Sequence, residues 1–256
     1  MPTLPAKFRS FRYWCNLLLF TLIVTYILWV ISFASYWMLA SARPAQRPIG
    51  DTTPSNWGLT YETISFSGYD GARLAGWYIP PQSGTPSSGT TVILLPGYAG
   101  TRLSTATYAK MLARHGFSIL MFDPRATGES EGKTLTWGWL DALDLAGAVD
   151  FLLTRPETDP QRIGVLGCST GAEVAITGAA LDGRIAAVVA DAPYYATAAD
   201  VAPVTLENIL GIPIYHLFIQ LMQWRTGASP AISVSEAVKL LSPRPLLLIS
   251  AGQDFE

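Results

Sequence analysis

Between Arg12 and Arg43 the chain carries no charged residue, and residues 17–40, LLLFTLIVTYILWVISFASYWMLA, form a run of 24 that is apolar almost throughout. As a helix rising 1.5 Å per residue, such a run exceeds the ~30 Å hydrocarbon core of a bilayer. The core helix of a water-soluble domain shows polar residues well before that length. Tyr13 and Trp14 stand at one end and Tyr36 and Trp37 at the other, where the interfacial aromatics of a membrane span belong. We therefore expect one transmembrane helix over 17–40, acting as a signal anchor. The alternative is a cleaved signal peptide, because Ala40-Ser41-Ala42 has the small-x-small form of a cleavage site. The apolar run is, however, longer than the roughly 7–15 residues of a signal's apolar region. Lys7, Arg9 and Arg12 precede the span, and Arg43 and Arg47 follow it. That bias keeps residues 1–16 in the cytoplasm and places the rest outside it. Cys15 stands at the inner boundary, where acylation occurs, although a cysteine there is more often an apolar filler.

The remainder is different in kind. The first acid is Asp51, and beyond residue 42 there are 14 basic and 19 acidic residues, a net charge of −5. With no basic excess the chain lacks the electrostatic footprint of a nucleic-acid binder. Half of the 256 residues are apolar, which excludes intrinsic disorder. Two cysteines far apart (Cys15 and Cys168) and two histidines (His115 and His216) exclude a disulfide framework and a Cys- or His-rich metal site. Residues 41–57, rich in Pro, Arg, Thr and Ser at their start, are expected to be a linker. Residues 58–256 are expected to be the folded domain.

Strand and helix patterns alternate there. Runs at 61–67 and 73–79 are joined by Gly68-Tyr69-Asp70-Gly71, a hairpin signal. Short apolar runs at 91–95 and 117–122 have the character of strands buried on both faces, and 162–166, 185–190 and 245–250 read as further strands. Helical spacing marks 105–114, 139–153 and 172–181 between them. Strands separated by helices imply an α/β fold with a mostly parallel sheet and helices on both faces.

The chemistry concentrates at Gly167-Cys168-Ser169-Thr170-Gly171, a G-x-S-x-G that follows a strand and opens a helix. That setting is what a nucleophile elbow requires: a tight turn that lifts the serine above the sheet's carboxyl edge. Glycines flank the turn because side chains there would strike the neighbouring strand or helix. The N–H of Thr170, at the helix's amino end, faces an oxyanion formed at Ser169. Cys168 is not the nucleophile, because the elbow presents the next residue.

With these residues in view, the chain resembles the α/β-hydrolase superfamily, and in particular its dienelactone-hydrolase and prolyl-oligopeptidase-like branches. Four segments match in the family's order: Leu94-Leu95-Pro96-Gly97-Tyr98-Ala99-Gly100; Phe122 to Ser130 (FDPRATGES); Asp159-Pro160-Gln161-Arg162-Ile163-Gly164 leading into the elbow; and Arg244 to Asp254 (RPLLLISAGQD). The resemblance covers roughly residues 61–256. It implies a serine hydrolase acting through an acyl-enzyme, with Ser169 as nucleophile. It assigns the second oxyanion N–H to Tyr98, beside that of Thr170, and makes Asp254 the triad acid. Pro96 stands where the family has a histidine of its oxyanion turn, and Ala126 replaces one glycine of the family's D-x-R-G-x-G-x-S loop. No cofactor is implied. The substrate is a small carboxylic ester, or less readily an amide.

Asp191, at the end of the 185–190 strand, is a rival for the acid. Neither His115, at a helix end opposite the elbow, nor His216, in the lid, fits the family's order of serine, acid, histidine. The family's histidine follows one further strand, so the chain is expected to be a fragment ending short of it and inactive by itself. The alternative is a non-catalytic α/β-hydrolase-fold protein used for binding or scaffolding. Residues 194–230 are expected to form a helical lid, with apolar pieces at 206–210 and 214–224. Tyr194, Tyr195 and His216 are its candidate substrate-pocket residues. Nothing in the sequence fixes an oligomeric state.

Overall fold

The computed structural model describes residues 6–46, 48–193, 211–230 and 232–250, with only the backbone for 6–10. The first element, α1 (Ala6–Ser41), is one continuous helix of 36 residues. Its stretch Phe11–Ser41 is long and apolar enough to cross a membrane. Residues 11–25 are exposed throughout.

Beyond that point α1 does not stand apart from the domain. Val30, Ala34, Met38 and Ala42 recur at every fourth position and form a buried stripe. The stripe packs against Ile214, Phe218, Ile219 and Met222 of α5 (Ile212–Thr226). Trp37 stacks on Phe218 with ring centroids 4.1 Å apart. This corrects the separation of span from core made on sequence. In a run that is apolar on every side, the face meeting protein carries no periodic signal against the faces meeting lipid.

The expected linker over 41–57 is likewise docked. Ala45–Gln46 (β1) pairs in parallel with Thr127–Gly128 (β6). The Ala45 N–H donates to the Ala126 carbonyl at 2.7 Å, and the Gln46 amide donates to the Ser130 carbonyl at 2.8 Å. Pro54–Trp57 forms a single 3₁₀ turn, and Trp57 meets Trp77 edge-on at 6.3 Å. Composition marks irregular backbone correctly but says nothing of whether that backbone is docked.

Among the described residues the main sheet has seven strands: β2 (Glu62–Ser67), β3 (Arg73–Ile79), β4 (Thr91–Leu95), β5 (Ser118–Phe122), β7 (Ile163–Cys168), β8 (Ala187–Asp191) and β9 (Leu246–Ile249). Their order is β2-β3-β5-β4-β7-β8-β9. The β2–β3 hairpin is antiparallel, β3 runs antiparallel to β5, and the other neighbours are parallel. All five residues of β4 and of β5 are buried, as strands covered on both faces must be. On one face lie α3 (Asp141–Leu153), α4 (Thr170–Leu181) and α6 (Val234–Leu241), closing a core around Ile93, Leu120, Leu145 and Val165. On the other lies α2 (Ala106–Arg114), over Val92, Leu94, Ile119 and Met121. The register pairs Leu95 of β4 with Gly167 of β7. The two loops that leave these parallel strands therefore emerge side by side at the carboxyl edge.

Candidate active site

Ser169 sits between β7 and α4 with φ +53° and ψ −122°, a conformation L-residues rarely take. The chain holds it there by backbone bonds. The Ser169 N–H donates to the Asp191 carbonyl at 2.8 Å, and the Ser169 carbonyl accepts from the Ala172 N–H at 2.8 Å. A Cβ on Gly167 would lie 1.9 Å from the Gly171 carbonyl oxygen, and one on Gly171 would lie 2.4 Å from the carbonyl oxygens of both Leu95 and Pro96. Neither position admits a side chain, which is the reason given for these glycines on sequence. The serine itself is exposed, while Thr170 beside it is buried.

Thr170 and Gly171 open α4, so their N–H groups have no helical acceptor behind them and point toward the serine's surroundings. The loop after β4 comes close from the other side: a Cβ on Gly97 would be 3.3 Å from the Ser169 Cβ. That contact puts Tyr98 beside the serine, and its hydroxyl donates to the carbonyl of Ser41 at the end of α1. Partial burial pushes the Tyr98 phenol above its ordinary pKa.

Next to the elbow is a narrow, partly open cavity of about 30 Å³. Gly97, Tyr98 and Thr170 line it near the serine; Leu135, Trp137 and Val174 form much of its apolar wall. Trp137 takes φ +55° and meets the Tyr98 ring at 5.0 Å and the Phe218 ring at 5.3 Å. One carboxyl, Asp141, also lines it. Burial pushes Asp141 up to about 7, the charge of Asp144 adds to the rise, and Arg125 opposes it. Sequence reasoning missed Trp137 and Asp141, because neither belongs to a motif and the loop between residues 131 and 140 has no periodicity.

Two buried ion pairs hold the loop beneath the cavity. Asp123 and Arg102 are fully buried. Asp123 accepts from the Arg102 backbone N–H at 2.8 Å, from its guanidinium at 2.7 and 3.1 Å, and from the Glu129 N–H at 2.9 Å. Arg125 donates two bonds to Asp144, at 2.6 and 2.7 Å, and two longer ones to Asp70, both at 3.2 Å. Ala126, standing where the family has glycine, is forced to φ +58°.

The remaining sequence-predicted residues fall as follows. His115 ends α2 at the edge of the sheet opposite the elbow and bonds the Met111 carbonyl through Nδ1 at 2.8 Å. His216 is exposed on α5 and is not among the residues lining the cavity, so the structure does not bring it to the expected pocket. The uniformly apolar helix around it hides which face turns inward. Asp191 is engaged by the Tyr108 hydroxyl at 2.5 Å, which pushes the phenol of Tyr108 up; burial adds to the effect. Asp254, Tyr194, Tyr195 and the 206–210 piece of the lid lie outside the described residues.

Comparison with known proteins agrees with this geometry. Residues 86–252 match the model of the family described as serine aminopeptidase, S33. The uncharacterised protein Rv2307c of Mycobacterium tuberculosis is 39% identical over 185 residues, which cover 72% of this chain and 59% of that protein. The uncharacterised protein YfhR of Salmonella typhimurium is 37% identical over 111 residues, covering 43% of this chain and 37% of that one. The chain thus spans less than two thirds of the length of either. Among solved structures, the esterase Pf2001 of Pyrococcus furiosus superposes with a TM-score of 0.58 at 25% identity, over 82% of this chain and 89% of the other.

Proposed function

The chain belongs to the serine aminopeptidase S33 family of α/β-hydrolases, and on that premise we propose that the full-length protein is a membrane-anchored serine hydrolase cleaving carboxylic esters, amides less readily. The observation that carries the proposal is Ser169: an exposed hydroxyl on a strained strand-to-helix turn, with the Gly97-Tyr98 loop and the first turn of α4 on either side of it.

In this reading the Ser169 Oγ bonds to the carbonyl carbon while its proton passes to an imidazole base, because a serine hydroxyl is a weak nucleophile at its own pKa. The oxyanion accepts from the N–H groups of Tyr98 and Thr170. The C–O bond to the alcohol then breaks, and the imidazolium proton goes to the departing oxygen. Water, deprotonated by the same base, attacks the acyl-enzyme and releases the acid and free Ser169. Asp254 is the carboxylate that orients the base. Neither His115 nor His216 is placed to be that base, so the reading concerns the full-length protein, and the 256 residues alone turn over little. The α1 helix is a signal anchor, with residues 1–16 cytoplasmic and the hydrolase domain outside the cytoplasm.

Hydrolysis of p-nitrophenyl esters by the full-length protein tests this. Ser169→Ala is expected to lower kcat by about 10³-fold or more while the fold, followed by circular dichroism, is kept. Equal rates for the two proteins, or none with any ester, would overturn the proposal; none at all would favour the binding or scaffolding alternative.

A further inference from the structure

The apolar helix and the site are joined without slack. α1 ends on the loop that carries Tyr98: the Ser41 carbonyl accepts from the Tyr98 hydroxyl. One residue on, the Ala42 carbonyl accepts from the Leu135 N–H at 3.2 Å, and Leu135 is a wall of the cavity. Trp37, Trp137, Phe218 and Tyr98 form one aromatic cluster that runs from α1 through the cavity wall to α5.

α5 packs along α1: Phe218 stacks on Trp37, Tyr215 of its first turn meets the same ring at 6.3 Å, and Ile214 belongs to the apolar cluster that includes Val30. The first turn of α5 therefore lies against the stretch of α1 between Val30 and Trp37. From Ile212 to Trp224 it carries no charge; Arg225 is its first. Among the described side chains of α1, the long uninterrupted exposed run is residues 11–25. A hydrocarbon core needs about 20 helical residues. Counted from Tyr13 or from Leu17, such a stretch reaches past Val30, into the part of α1 that α5 covers. Ser41 then stands ~8–13 Å above the hydrocarbon edge, at the level of the lipid headgroups.

We propose that the site is built directly onto the outer end of the bilayer-spanning helix, with the first turn of α5 seated in the membrane boundary, and that its substrate is a carboxylic ester of a membrane lipid, met with the scissile bond at headgroup height. This rests on the hydrolase reading above and names the substrate class for it. A tethered domain reaches soluble esters at any height, whereas a site bonded to the end of its span has one fixed height, which favours a substrate held at that height.

The test uses the full-length protein in phosphatidylcholine nanodiscs. Two esters with the same acyl group are supplied, a fluorogenic phospholipid within the bilayer and a soluble p-nitrophenyl ester. A second measurement does not depend on activity. In a Cys15→Ser, Cys168→Ser background, an environment-sensitive fluorophore is attached at His216→Cys on α5, or at Lys110→Cys on α2 as control, and quenched by lipids carrying a nitroxide near the head of the acyl chain. We expect the phospholipid to be cleaved, at least about 100-fold slower in Ser169→Ala, and the label at position 216 to be quenched more than that at 110. Cleavage of the soluble ester alone overturns the proposal and leaves the hydrolase reading standing. Quenching at 216 no greater than at 110 overturns the fixed height. Failure of both esters overturns the hydrolase reading, and this substrate assignment with it.

Discussion

At Ser169 the backbone holds a conformation that costs ~1–3 kcal/mol, and the surrounding atoms leave it no other place. Gly167 and Gly171 are packed against carbonyl oxygens, and the turn closes on the Asp191 carbonyl. This much was legible in the sequence, because a G-x-S-x-G between strand and helix names the residues that the geometry demands. Ala126 is the opposite case. Its φ of +58° is one that glycine takes without penalty and an L-residue takes at ~1–2 kcal/mol. Ala126→Gly is expected to raise stability by roughly 0.5–1 kcal/mol after the added freedom of the unfolded chain is subtracted. A thermal melt that moves down instead would contradict the assignment of strain. Asp141 was not legible at all, and it makes a prediction in pH. Burial, chiefly, holds its carboxyl up to about 7 in the folded chain, against an ordinary value of 3.8. Between those values the native state keeps a proton that the unfolded chain has released. The contribution is therefore fully present below the lower value and is lost as pH rises through about 7. Asp141→Asn should remove that loss, so the variant gains on the wild type from pH 4 to pH 8. Melting curves that stay parallel across this range would contradict it.

At the scale of elements, the alternation of strands and helices was readable because each buried strand is a short apolar run closed by turn residues. The same reading failed for α1. A helix apolar all round gives no face away, and the stripe of Val30, Ala34, Met38 and Ala42 became visible only once α5 lay against it. The linker failed for a related reason: two residues of parallel pairing with β6 leave no pattern in composition. The coupling of α1 to α5 is testable by itself. Phe218 is fully buried between Trp37 and Trp137, and Phe218→Ala is expected to cost ~3–5 kcal/mol locally. Hydrogen exchange should then quicken in α5 and in the last turns of α1 while β4, β5 and β7 keep their protection. Unchanged exchange in α5 would mean that the two helices are not held by this stack.

For the whole molecule, the order of the sheet follows from parallel pairing and crossover connections, and it sets the site. Because β4 and β7 are neighbours in register at Leu95 and Gly167, the loop after β4 and the turn after β7 converge on one serine. The long apolar helix is docked against the domain rather than tethered to it. The sequence placed the strained turn at Ser169 and the loops, since both depend on local backbone demands. It did not place the cavity wall, which is assembled from segments distant along the chain and joined only by packing. The central claim is that Ser169 is an activated nucleophile, and a fluorophosphonate probe reads that property directly. Full-length protein in native membranes is expected to be labelled covalently, with the adduct mapped by mass spectrometry to Ser169 and absent from Ser169→Ala. No label on the wild type, or equal label on the variant, would contradict it.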